Sequence, residues 1–375
     1  METYKEMIDA ETFNRLLAPV ACGISIYLPI DPEQRDKRAP QARMRALADS
    51  AQALLERCET EPSEQANLLD SMRSAVDGVD FARHRDPGLA IFAAHQADGN
   101  SLLEVVSLPQ SPAELVTAGT DCHIKPLLPL VAANQRFDIL ALSKANVRLL
   151  TATPFTWTEL PLEALPIEAQ AELDSRPAVE AGPGQNAAQD ARKKLLVSSP
   201  HYIETAVKAA VGDNPAPLVL VADSHVAGHF RQQVEISQIH EQWLDLNPFA
   251  LSDTELHARV LDVIRPELEA DLNAVLEQVV ARLGTGEANV AIRLEEILTA
   301  AREGRVEAIV VAEDETVWGR LNQDGSVLAH GTPVPYDADL LNLAAVLTLR
   351  HGGRAFAVPH ERIPRQVPAV ATLRF

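Results

Sequence analysis

Cysteine is scarce in this chain. Its three residues, Cys22, Cys58 and Cys122, are widely spaced and odd in number; they form neither a disulfide framework nor a zinc ligand pattern, and they suit a reducing compartment. Long apolar runs are missing as well, and no uncharged stretch approaches the roughly 18 residues that would span a bilayer. The first residues, METYKEMIDAETFNRLL, alternate charged and apolar side chains and lack the continuous apolar segment of a signal peptide. A cytoplasmic protein without a membrane partner is expected. Basic residues are in deficit, with 33 Lys and Arg against 53 Asp and Glu and a formal net charge of −20. A field of that sign opposes broad, non-specific binding to nucleic acid, DNA included. A phosphate-cradling glycine loop and a dinucleotide fingerprint are both absent, so no cofactor is implied.

What remains is a soluble globular composition, 46% apolar and 23% charged over 375 residues, long enough for two or three domains. Residues 22–30, CGISIYLPI, read as a strand ended by proline. A helical stretch follows from Pro40 to about Met72, with Met44, Leu47, Leu54, Leu55, Leu68 and Leu69 at helical spacing. GLAIFAA (88–94) and LLEVVSL (102–108) are strands in hairpin-like succession. The second block opens with FDILALS (137–143) and VRLLTAT (147–153), joined by a tight turn as an antiparallel pair at a sheet edge. A connection rich in Pro, Glu and Ala leads to AGPGQNAAQDARKK (181–194) and a helix-compatible stretch interrupted at Pro200. PLVLVA (217–222) is a buried strand with Asp223 and Ser224 at its C-terminal end, and Ser252 with Glu255 spells a capping box. The third block alternates a helix (288–304), the strand VEAIVVAED, the helix DADLLNLAAVLTLRHGG, and the strands AFAVP and AVATLRF. The expected fold is α/β (α+β), in three consecutive domains at 1–131, 132–262 and 263–375, the last an α/β/α sandwich.

Few residues carry chemistry. His225 and His229 share a helix face at i, i+4, but Val226 stands where zinc hydrolases place glutamate, so they read as a structural or surface pair and no metal site is expected. Asp121, Cys122 and His123 are sequence neighbours, which rarely point at one another, and Asp223 and Ser224 serve equally well as helix caps. Arg35, Lys37, Arg38, Arg43 and Arg45 cluster against one acid, Asp36. Arg350, Arg354, Arg362, Arg365 and Arg374 share the C-terminal tail with Glu361. Both groups read as solvated surface or as local docking points for RNA on an otherwise acidic protein. Gly182, Pro183, Gly184 and Gln185 form a turn ahead of a helix bearing Arg192, Lys193 and Lys194.

The order of these features changes the weight of that turn. GISIYLP in block one, CHIKPLLPLV and FDILALSKANVRLLTAT, then GPGQNAAQDARKK and LVLVADSHVAGHF in block two, and VEAIVVAED with PAVATLRF in block three are colinear. Together they resemble the archaeo-eukaryotic release factor and Pelota superfamily over nearly the whole chain. More narrowly, they resemble the bacterial archaeo-eukaryotic release factor family, subfamily three, with relatives among Balon-type ribosome hibernation factors. The resemblance implies an RNase H-like mixed sheet in the central domain and a third domain of the kink-turn-binding ribosomal protein type. It implies the ribosome as partner, through rRNA at the A site, and the third domain as a docking place for an elongation-factor-type GTPase. In that family a Gly-Gly-Gln loop reaches the peptidyl transferase centre and hydrolyses peptidyl-tRNA. Gln185 and Gly184 match its last two residues, but the first glycine is Pro183 here. Proline holds φ at about −65° and removes an N–H, so the backbone conformation that adjacent glycines allow is closed. The early helical hairpin, APQARMRAL, lacks the Asn-Ile-Lys-Ser motif of stop-codon readers. The expected function is ribosome binding in hibernation or rescue without hydrolysis. A codon-independent peptidyl-tRNA hydrolase using Gln185, or a non-ribosomal RNA- or protein-binding factor, are the alternatives.

Overall fold

Pro62 divides the early helical stretch into two helices, Arg38–Leu55 and Pro62–Gly78. Its missing N–H and preset φ suit the first position of a helix and no interior position, so a single helix running through to Met72 does not form. The computed structural model describes the chain apart from residues 1–9, 32–37, 56–60, 82–83, 85, 97–99, 133–135, 144–145, 163–199, 213–215, 286–288, 323, 333 and 335–336. By its contacts the chain forms two units, one of Met1–Ala132 with Asp271–Phe375 and one of Ala133–Ala270. The first and third blocks of the sequence thus contribute to one unit. Each unit holds a layered arrangement of helices on sheets, antiparallel or mixed.

In the first unit, strands β1 (Val20–Pro29), β2 (Gly88–Gln96), β3 (Ser101–Leu108) and β4 (Leu115–Gly119) form an antiparallel sheet in the order β3-β2-β1-β4. Met44, Ala48, Ala51 and Leu55 of one helix and Leu68, Leu69, Met72 and Val76 of the other bury against Ile24, Ile26, Leu28, Leu89 and Ile91. Those strand positions alternate, as one face of a pleated sheet requires.

The third block builds a second sheet from β10 (Val290–Ala291), β11 (Val306–Ala312), β15 (Arg354–Val358) and β16 (Ala369–Leu373), in the order β10-β16-β11-β15, with β11 and β15 parallel. The helix expected from 288 begins only at Leu294 and ends at Arg302, because Val290 and Ala291 pair with β16 instead. Gly304, at φ +71, closes that helix in the left-handed region glycine tolerates best. A small sheet not foreseen from the sequence, β12 (Trp318–Leu321), β13 (Val327–His330) and β14 (Ala338–Asp339), lies between β11 and the helix Leu340–Arg350 in chain order.

The second unit has a five-stranded mixed sheet in the order β7-β6-β5-β8-β9. Its strands are β5 (Phe137–Leu142), β6 (Val147–Ala152), β7 (Trp157–Leu160), β8 (Leu218–Ala222) and β9 (Leu244–Asp245). The β5–β6 pair is antiparallel as expected, but it is not at the edge: β5 is central, parallel to β8, and β7 continues the sheet beyond β6. Burial on both faces explains why ILAL (139–142) and LVLVA read as continuous apolar runs. Leu140, Leu220, Ile203, Val207 and Phe230 fill one face, and Ile139, Val219, Leu256, Val260 and Ile264 the other. Arg148 joins β6 to β7 and to the helix Asp253–Leu268, with Nε 3.0 Å from Glu159 and Nη1 2.8 Å from Asp253.

The capping box forms as spelled. Ser252 accepts from the Glu255 N–H at 3.3 Å, and Glu255 accepts from the Ser252 N–H at 2.9 Å, opening the helix Asp253–Leu268. Ser252→Ala is expected to cost about 1 kcal/mol, read as a lower urea midpoint without a change in slope. Among the described residues no helix is long and apolar enough to cross a membrane.

Candidate functional site

Of the early basic cluster, Arg35 and Lys37 lie outside the described residues. Arg38, Arg43 and Arg45 open the helix Arg38–Leu55. Arg43 Nε donates to Glu114 at 3.1 Å, and Arg45 donates from Nε and Nη2 to Asp77 at 2.8 and 2.7 Å. Both pairs are about half exposed. Exposed pairs of this kind contribute about 0–1 kcal/mol, so each guanidinium can exchange its carboxylate for another anion at small cost.

The C-terminal arginines behave differently from a docking patch. Arg350 Nε donates to the Leu17 carbonyl at 2.5 Å, Nη2 to the Ala18 carbonyl at 3.1 Å, and Nη1 pairs with Asp121 at 2.6 Å. Arg374 donates to the carbonyls of Gly304 and His351. These two cations saturate backbone oxygens left over at helix ends. That corrects the expectation of a basic tail available as a whole to RNA.

Gly182, Pro183, Gly184, Gln185, Arg192, Lys193 and Lys194 lie outside the described residues. In the chain they fall between β7 and the helix Pro200–Val211, whose Ile203 and Val207 pack on the central sheet. At the C-terminal end of β8, Asp223 caps the next helix, accepting from the Val226 N–H at 3.0 Å. The Ser224 N–H donates to Asp245 at 2.8 Å, and the Ser224 hydroxyl is hydrogen-bonded to the same carboxylate. With its hydroxyl committed to Asp245, Ser224 is placed as a helix-start residue. Among the described residues no group of three His, Cys, Asp or Glu side chains is placed to hold a metal, His225 and His229 included.

The most connected polar cluster was not legible in the sequence. A cleft of about 550 Å³ in the first unit is lined by β4, Asp121, His123, Trp318, Asp337, Asp339 and Asn342. At its base Asn342 accepts from the N–H groups of Ile124 (2.8 Å) and Lys125 (3.0 Å) and donates to the Cys122 carbonyl at 3.2 Å. One buried amide therefore satisfies three backbone groups of a segment outside any ladder. Lys125 Nζ lies 2.8 Å from Asp339 Oδ2, both side chains almost fully buried. The Tyr27 hydroxyl donates to the His123 carbonyl at 2.5 Å, and Ser25 accepts from the His123 N–H at 2.9 Å. CHIKPLL thus fastens the first block to the third within one unit.

Its side chains are chemically quiet. Burial, reinforced by the Asp121 charge, pushes the Cys122 thiol up to about 12, and burial pushes His123 down to about 4. Near pH 7 neither is charged, so no thiolate–imidazolium pair exists. His123 has a consequence for stability. Its folded pKa lies below the unfolded value of 6.5, so unfolding takes up a proton between the two values and stability rises with pH through that window. Burial lowers His257 in the same direction. Acidification from pH 6.5 towards pH 4 is expected to remove stability on the order of 3 kcal/mol through His123. Chemical denaturation at several pH values checks this: the slope attributable to His123 disappears in His123→Phe, and an unchanged slope refutes it.

Residues 136–305 match bacterial archaeo-eukaryotic release factor family 3. Over that segment, less than half of the 375 residues, the chain is similar to the family. The segment includes Gly182 to Gln185 and the three basic residues that follow them. Among solved structures, the chain is similar to an archaeal translation termination factor, aRF1, at 13% identity over 98% of this chain and 97% of that one, with a TM-score of 0.24. It is similar to Pelota of Archaeoglobus fulgidus at 11% identity, over 76% and 79% of the two chains, with a TM-score of 0.31. It is also similar to Dom34 of S. cerevisiae, a translation termination-like factor, at 8% identity over 77% and 79%, with a TM-score of 0.36. No curated protein matches the chain.

Proposed function

We propose that this chain is a ribosome-associated factor that occupies the A site of idle or stalled ribosomes, in hibernation or rescue, without hydrolysing peptidyl-tRNA. The carrying observation is a Gly-Pro-Gly-Gln sequence inside the segment similar to a release factor family. Pro183 stands where that chemistry needs the backbone freedom of glycine, so Gln185 is read as a retained contact. Arg192, Lys193 and Lys194 then meet large-subunit RNA, and Arg35, Lys37, Arg38, Arg43 and Arg45 meet the small subunit. The three blocks 1–131, 132–262 and 263–375 serve as functional domains on this reading, the central one RNase H-like and the third of the kink-turn-binding type. An elongation-factor-type GTPase would dock on the third domain.

Co-sedimentation at low salt tests the reading. The purified protein is expected in the pellet with vacant or stalled ribosomes, and a protein that stays in the supernatant with both overturns it. The hydrolase alternative has its own readout. No nascent peptide is expected to be released by the wild type above background, whereas release that Gln185→Ala abolishes would establish an enzyme.

A further inference from the structure

Among the described residues β3 leaves one long side open. It is the terminal strand of its sheet among the described residues, and its side chains alternate: Leu102, Val106 and Leu108 are buried, whereas Ser101, Leu103, Val105 and Ser107 are exposed. The register sets Leu103 beside Ala93 and Val105 beside Ile91, and both of those lie in the core under the helices. The helix Pro62–Gly78 reaches β3 only in part, and Leu103 and Val105 remain 45% and 47% exposed. Natural edge strands are usually guarded by lysine, proline or a bulge. β3 has none of these, and its one charged side chain, Glu104, lies on the other face, 2.8 Å from Arg15.

The strand is also a palindrome in chemical type. Around Glu104, Leu103 mirrors Val105, Leu102 mirrors Val106, and Ser101 mirrors Ser107. We propose that this edge pairs antiparallel with the same edge of a second copy of the chain, about a two-fold axis through Glu104, joining the two sheets into one. A centre on a residue, unlike one between residues, keeps both exposed faces on the same side of the joined sheet. Leu103 of each copy then faces Val105 of the other, Ser101 faces Ser107, and the four apolar side chains cover one another. On the opposite face the two Glu104 carboxylates meet, each held by its own Arg15. The like-charge opposition that destabilises directly paired strands is thereby offset. A single strand edge buries little area, which places the dimer among weak, concentration-dependent associations.

Sedimentation equilibrium over a concentration series tests this with the full chain. The wild type is expected to show a monomer–dimer equilibrium. Leu103→Lys with Val105→Lys is expected to be monomeric with an unchanged far-UV spectrum, since both positions are exposed. Arg15→Glu, a second route that leaves the strand intact, is expected to raise the dissociation constant by roughly fivefold, with Glu104→Gln restoring it. Register is read by disulfide trapping with Cys58 replaced by serine, Cys22 and Cys122 being buried. Leu103→Cys mixed with Val105→Cys is expected to cross-link more than either variant alone. A wild type monomeric at every concentration, dimerisation untouched by the lysine pair, or cross-linking indifferent to the mixture overturns the proposal.

Discussion

Replacing Lys125 by alanine is expected to destabilise the first unit by about 3–5 kcal/mol, because it strands a buried carboxylate. Lys125 and Asp339 are 2.8 Å apart at 4% and 0% side-chain exposure, and the lysine also donates to the Glu315 carbonyl. Asp339 has a second duty as the cap of the helix Leu340–Arg350, where Oδ1 accepts from the Leu341 N–H at 3.1 Å. Without Lys125 the capping oxygen stays in use while its charge is left unpaired. Removing both charges tests whether the penalty is electrostatic. Lys125→Met combined with Asp339→Asn keeps the volume and the cap acceptor, and is expected to recover most of the loss, as replaced buried pairs often do. Guanidinium unfolding followed through Trp318 reports on this unit once Trp157 and Trp243 are changed to phenylalanine. A loss in Lys125→Ala below about 1 kcal/mol, the range of exposed pairs, would sink the assignment.

Reversing Arg192, Lys193 and Lys194 to glutamate is the second large effect, this time on function. If those residues meet rRNA phosphates, ribosome affinity is expected to fall by at least about tenfold, and the slope of log affinity against log salt by about two to three. The acidic background sharpens the test. With a net charge of −20, long-range attraction to RNA is unavailable, and binding depends on a few local cations. Arg43→Glu is the matched change at the other cluster. It breaks only an exposed pair with Glu114, so lost binding there is not explained by lost folding. An unchanged salt slope in the triple variant would remove these residues from the interface.

Much of the fold was legible because period carries burial. The strand ending at proline in GISIYLP, the unbroken LVLVA and the Ser252 capping box each specify a local structure through interactions within a few residues, and each formed. Errors arose where partners decided. Val290 and Ala291 join β16 rather than a helix, β5 lies inside its sheet because β8 pairs with it, and β12 and β13 have too few residues to show a period. Arg350 looked like one of five basic tail residues, yet its fork is taken up by Leu17, Ala18 and Asp121. No local pattern announces contacts more than two hundred positions apart.

The candidate site divides in the same way. Sequence alone determined the Gly-Pro-Gly-Gln motif, the basic residues after it and the consequence of Pro183, because a proline restricts its own backbone wherever it sits. It also determined the acidic field and the palindrome in β3, since charge and residue order need no coordinates. Only the tertiary structure decided which cations are committed, that CHIKPLL is a fastening held by Asn342 and Asp339, and that β3 is the terminal strand of its sheet among the described residues. Burial, hydrogen-bond saturation and a strand's neighbours are properties of what surrounds a residue, and those surroundings come from distant parts of the chain.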